Sequence, residues 1–166
     1  MVDARPAARL TVLSCPSGVG RHRVVELVRA RSPEVWLPPT VTTRARRAGE
    51  QDGVHRSFVD RDRFERMRAA GELLEWAQVG DQLYGTARRP VEDRLREGRP
   101  VLLSLDPAGA RQVRQAMPEA RLVRLAPPPA RAELAAGPAF EVTVVNDSAE
   151  RAAAELVGLL GSPALL

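Results

Sequence analysis

"LTVLSCPSGVGRHRVVELVRA", residues 10–30, reads as a buried strand, a turn carrying two glycines, and a helix. A loop set between a strand and a helix is where phosphates bind. In the working pattern, Gly-x4-Gly-Lys-Ser/Thr, backbone N–H groups cradle the phosphate, the lysine reaches its oxygens, and the hydroxyl holds Mg²⁺. Here Cys15, Arg21 and His22 fill three of those slots, with Pro16, Ser17, Gly18, Val19 and Gly20 between them. By pattern alone, "SGVG" between a strand and a helix is more often a plain tight turn.

Working outward, strand signals fall at 10–14, 35–37, 73–79, 101–105, 121–125 and 140–145. Helical periodicity covers 20–31, 61–70, 90–97, 108–116 and 148–160, with Asp60 and Ser148 as N-caps and Pro90 in a first turn. This alternation predicts a layered α/β fold with a largely parallel sheet. At 166 residues and 44% apolar, the chain fits one globular domain with its own core.

The 25 basic residues are all arginine, and the net charge is +4, which suits a polyanionic ligand. These arginines are dispersed and aromatics make up only 4%, a pattern that speaks against a nucleic-acid interface. The lone cysteine forms no internal disulfide, and neither an export signal nor an 18-residue apolar run is present, so a cytoplasmic location without membrane contact is expected.

A second stretch, "TVTTRARRAGEQDGVHRSF" at 40–58, is polar and carries Arg44, Arg46, Arg47 and Arg56. It reads either as a solvated basic loop or as a phosphate site, because the guanidinium fork matches phosphate oxygens in pairs.

The blocks "VLSCPSGVGRHRVV", "TVTTRARRAGEQDGVHRSFV", "FERMRAAGELLEWAQV", "LYGTARRPVE", "VLLSLDPAGARQVR" and "VVND" occur in an order and spacing that resembles the guanylate kinases. The resemblance implies a P-loop core that binds ATP, a GMP-binding subdomain, and a lid that closes over both nucleotides during phosphoryl transfer with Mg²⁺. It divides a single domain, 1–166, into a core (8–34 and 100–160) and a GMP-binding subdomain with its return to the core (35–99).

By the same resemblance, Thr40, Arg44, Arg47 and Tyr84 address the GMP phosphate, and Glu75 and Thr86 the guanine edge. A carboxylate accepts two donors from guanine N1 and N2, a pairing that adenine lacks. Arg56 stands where the family has a tyrosine, and Ser104 where it has an acid two places before Asp106. The ATP side departs further. Cys15 is expected to carry left-handed strain and, placed before a helix, a lowered pKa. Arg21 keeps the charge without the compact ammonium, and His22 removes the Mg²⁺ hydroxyl; no second histidine nearby suggests a metal site. "APPPARAEL" joins two family segments that normally flank the lid.

The expectation is a guanylate kinase-like protein with a degenerate P-loop and a reduced or absent lid. It would bind GMP or another phosphorylated small ligand and have lost efficient transfer; Mg²⁺ and ATP would be needed only if kinase activity is retained. An active reduced guanylate kinase is the first alternative and a phosphopeptide-recognition module, with a phosphoprotein partner, the second.

Overall fold

In a computed structural model, residues 8–15, 19–128 and 140–161 are described. The core sheet is wholly parallel, in the order β6-β1-β7-β8, built from β1 (Leu10–Ser14), β6 (Val101–Leu105), β7 (Arg121–Ala126) and β8 (Val142–Val145). These strands are rich in Val and Leu because a parallel sheet is covered on its faces. Strand residues alternate between two clusters. Leu13, Leu102, Val123 and Val144 pack with α1 (Arg21–Arg31) and α5 (Ala149–Gly161). Leu10, Val12, Leu103 and Leu122 pack with α3 (Arg88–Arg96) and α4 (Pro107–Ala116).

Helix α1 presents Val24 and Val28, four residues apart and fully buried, and each such burial stabilises by about 1.5–3 kcal/mol. Helix α4 starts where its sequence says it should. Pro107 occupies the first turn, and Asp106 accepts a hydrogen bond from Gly109 N at 2.7 Å as N-cap. Asp60 caps α2 (Arg61–Ala69) in the same way through Arg63 N, and Ser148 Oγ accepts from Arg151 N at the head of α5.

A second sheet, in the order β3-β2-β5-β4, is mixed. Strand β2 (Thr40–Thr42) pairs parallel with β3 (Arg56–Phe58), and β5 (Gln82–Ala87) pairs antiparallel with both β2 and β4 (Leu73–Val79). Its small core is Val41, Phe64, Leu73 and Leu83. Gly85 is required here: a Cβ would lie 2.8 Å from the Glu75 carbonyl oxygen.

The strand expected at 35–37 shrinks to one bridge between Trp36 and Val101. Pro33, Pro38 and Pro39 remove donors on either side, so the segment cannot extend its pairing. Strands β2, β3 and β5 went unread. The first two are three residues long, and each is half polar.

Candidate functional site

The arginine-rich stretch folds around a single carboxylate that the sequence reading did not single out. Glu50 accepts from Arg44 Nη2 at 2.8 Å and Nη1 at 3.2 Å, and from the Arg47 backbone N at 2.8 Å; Arg56 Nε stands 4.0 Å away. The Arg44 hydrogen bonds, with that of Arg47, hold the Glu50 carboxyl down to about 2. Glu50, and secondarily Tyr84, hold Arg44 above its usual value against the opposing effect of burial. Arg44 also lies over the Phe58 ring at 5.8 Å, and Arg56 over Tyr84 at 5.9 Å. The guanidiniums of Arg44 and Arg56 and the backbone N–H of Arg47 are thereby gathered about one anion, with the Tyr84 ring beneath Arg56. The sequence signal was present in the first acid after the arginines, six residues after Arg44 and three after Arg47.

The other pair expected to share a task, Glu75 and Thr86, sits on β4 and β5. Thr86 Oγ1 donates to Glu75 Oε1 at 2.8 Å in a buried setting. Burial pushes the Glu75 carboxyl above the ordinary range, Thr86 opposes the shift, and the negative charge of Asp106 adds to it. Gly109 leaves the room this carboxylate needs. A Cβ there would stand 3.4 Å from Glu75 Oε2 and 3.2 Å from Asp106 Oδ1. Gln112, on the same helix, completes the edge of β4: its amide accepts from Trp76 N at 3.1 Å and donates to Trp76 O at 2.9 Å.

Between β2 and β6 lies a cavity of about 180 Å³. Its walls include Thr40, Arg56, Thr86 and Ser104, so four residues from separate parts of the sequence meet there. Arg44, Arg47, Glu75 and Tyr84 are not among its lining residues.

The loop after β1 is only partly described, and Pro16, Ser17 and Gly18 lie outside the described residues. Gly20 is left-handed, with φ 80°, and precedes α1; a Cβ on it would meet Asn146 Nδ2 at 3.0 Å. That same Nδ2 donates to Val19 O at 2.7 Å, tying the loop to the end of β8. The first turn of α1 carries no acid, which leaves its N-terminal end electropositive.

Two expectations for Cys15 fail. No described non-glycine residue has a positive φ, so Cys15 carries no left-handed strain. Nor is its pKa lowered: burial against the α1 and α5 cluster raises it, with Arg21 only partly offsetting. His22 is exposed, and its Nε2 lies 3.1 Å from Glu26 Oε1, a surface contact. Asp106 is occupied as a helix cap. The segment 129–139, where the shortened lid connection was expected, lies outside the described residues.

Mg²⁺ finds no ready side-chain set. His22 is turned onto Glu26, Ser104 offers a neutral hydroxyl, and no three His, Cys, Asp or Glu side chains converge among the described residues. No described helix is long and apolar enough to cross a membrane.

A family model described as guanylate kinase matches residues 7–136. A curated guanylate kinase from Streptomyces coelicolor is 49% identical over 182 aligned positions, covering 95% of this chain and 91% of the relative. One from Thermobifida fusca is 48% identical, covering 93% and 92%. The 182 positions exceed the 166 residues of the chain, so the Streptomyces relative carries residues that this chain lacks. A crystal structure of guanylate kinase from Anaplasma phagocytophilum superposes with a TM-score of 0.71 at 29% identity, covering 94% of this chain and 86% of that one.

Proposed function

This chain is a member of the guanylate kinase family, and from that membership we propose that it binds GMP and transfers phosphoryl from ATP to it, slowly. The supporting observation is the arginine cluster on Glu50, set beside the buried Glu75–Thr86 pair. The two groups are chemically opposite, as a nucleoside monophosphate requires at its two ends.

Arg44, Arg47, Arg56 and Tyr84 take the phosphate, with Thr40 as an added hydroxyl donor. Glu50 holds Arg44 in place before a ligand arrives, so less side-chain entropy is lost on binding. At the other end, ionised Glu75 accepts from guanine N1–H and N2–H₂, while Thr86 fixes the carboxylate's orientation. On the donor side, Gly20 opens the head of α1 and Arg21 supplies a cation for the ATP phosphates. The residues present do not fit a protein-held Mg²⁺, and no step is assigned to the ion.

Transfer is expected to be slow because the sequence "APPPARAEL" leaves little length for the lid segment whose arginines, in the family, neutralise charge on the moving phosphoryl group. Arginines in that role contribute roughly 10³ to 10⁵ in rate in comparable transferases. The identity to relatives named guanylate kinase supports transfer over binding alone. The changes at Arg21, His22 and Ser104 favour the second reading, GMP binding without transfer.

A coupled assay of ADP release, run beside calorimetric titration with GMP, separates the two. Transfer predicts GMP-dependent ADP release at least about a hundredfold below the ordinary 1–100 per second. GMP binding with no release above background leaves the second reading, and no binding at millimolar GMP removes both.

A further inference from the structure

A second cavity, of about 310 Å³, shares a wall with the first. Pro38 and Pro39 line both, and β2 sends successive residues to opposite sides of that wall: Thr40 lines the smaller cavity and Val41 the larger. The chain passes from the core to the second sheet at 37–40 and returns at 87–90, and both crossings contribute, the return through Ala87 and Pro90. None of the residues given to GMP or ATP lines this cavity.

Its walls are mainly apolar, and Arg94 of α3 is its one charged residue among those described. The Arg94 guanidinium lies over the Trp36 ring at 4.8 Å. The acids beside it are already taken: Glu92 by Arg88 at 3.7 Å and Arg96 at 3.6 Å, Asp93 by Arg96 at 2.6 Å, and Glu97 by Arg99 at 3.6 Å. The Arg94 guanidinium itself forms no ion pair and no hydrogen bond among the described residues. A guanidinium with one face on an indole ring still presents its N–H edge, and the stacking orders that edge in advance for a planar acceptor.

We infer that this cavity is a second ligand site, separate from the nucleotide site, and that it takes a small aromatic carboxylate. The flat ring packs against Pro38, Pro39 and Val41, and the carboxylate takes the fork of Arg94. The volume is close to the roughly 300 Å³ at which ligand pockets begin, which suits a body of one or two rings. An apolar body alone would leave the cation unpaired, and a small anion alone would leave the apolar wall uncovered, so both features belong to one molecule. The inference does not rest on the GMP reading, and an occupant here does not compete with GMP.

Calorimetric titration of wild type, Arg94→Gln and Arg94→Lys with indole-3-carboxylate, indole-3-carboxamide and acetate tests it, with thermal unfolding to confirm that each variant is folded. The amide keeps the ring and loses the charge; acetate keeps the charge and loses the ring. Wild type should bind one indole-3-carboxylate per chain, at least about tenfold more tightly than either control. Arg94→Gln should bring the acid down to the affinity of the amide and leave the amide within about twofold, with Arg94→Lys in between. Saturating GMP should shift the apparent affinity to a plateau or leave it unchanged. Equal affinity for acid and amide, acid affinity unaltered in folded Arg94→Gln, or no binding at millimolar acid overturns the site. So does an apparent dissociation constant that keeps rising in proportion to GMP, which would put the carboxylate in the phosphate cluster. Wild type that binds no GMP but separates acid from amide through Arg94 sinks the GMP reading and keeps this site.

Discussion

Two carboxylates in this protein carry opposite pKa shifts, and their consequences for pH separate cleanly. Glu50, held down to about 2 by Arg44 and Arg47, stays ionised throughout the working range, so the phosphate cluster keeps its geometry. Its contribution to stability is fully present above the ordinary carboxylate pKa and is lost as pH falls toward 2. Glu75 moves the other way. Its folded pKa is raised, so the folded state holds this proton more tightly than the unfolded one, and stability falls as pH rises between the two values.

The function of Glu75 needs the charged form. The preference for GMP over AMP should therefore be full well above its raised pKa and decline as pH falls through it, while phosphate affinity is retained. Titrations of both nucleotides from pH 8 to pH 5 check this, with Glu75→Gln as the comparison. That variant should show a low, pH-independent ratio, because an amide presents a donor where guanine also has donors. A wild-type ratio that is flat with pH would show that Glu75 does not read the base.

At the scale of elements, α4 does more than cover the core sheet. Its N-terminal turn lies against Glu75 and its Gln112 closes the edge of β4, so one helix sets where the base-reading strand sits. Gly109 is the point of closest approach. In an unconstrained helix Gly→Ala would stabilise by about 1 kcal/mol. Here the added methyl would press on the Asp106 cap and on Glu75 Oε2. Gly109→Ala is expected to erode GMP-over-AMP preference by at least about fivefold, with thermal stability little changed because propensity and crowding offset each other. Unchanged preference in a folded Gly109→Ala protein would free the carboxylate from α4. A matching argument applies to Gly85, where the obstacle is backbone and the strand itself would have to shift.

For the whole molecule, the proposed acceptor side is gathered by one sheet, while the proposed donor side departs from the family pattern. The second sheet brings Thr40, Arg56, Tyr84, Glu75 and Thr86 from four strands into one neighbourhood. The proposed donor side keeps Gly20 and its brace from Asn146 but carries Arg21 and His22 where the family resemblance implies a lysine and a hydroxyl. Strand β7 ends at Ala126 and β8 begins at Val142, and the longer Streptomyces relative has residues that this chain does without. Arg21→Lys with His22→Ser should accordingly raise ATP affinity by at least about tenfold and turnover by much less, since charge neutralisation on the phosphoryl group is not restored. ATP binding followed with a fluorescent analogue, beside the ADP assay, measures both. Recovery of ordinary turnover from these two changes would place the defect wholly in the loop. Cys15 needs no repair, because a side chain fits there without strain.

The sequence by itself determined the layered α/β class, the parallel core strands, the five helices and the caps at Asp60 and Ser148; Asp106 was read for its motif, and its cap came from the structure. Those features depend on periodicity and on side chains acting within a few residues of themselves, and both are local. It also supplied the family, through motif blocks whose order survives the changes inside them. Only the tertiary structure decided three things. Strands of three residues, such as β2 and β3, take their identity from partners distant in sequence and have no pattern of their own. The raised pKa of Glu75 and the unstrained burial of Cys15 are set by what packs on them, and packing is not local.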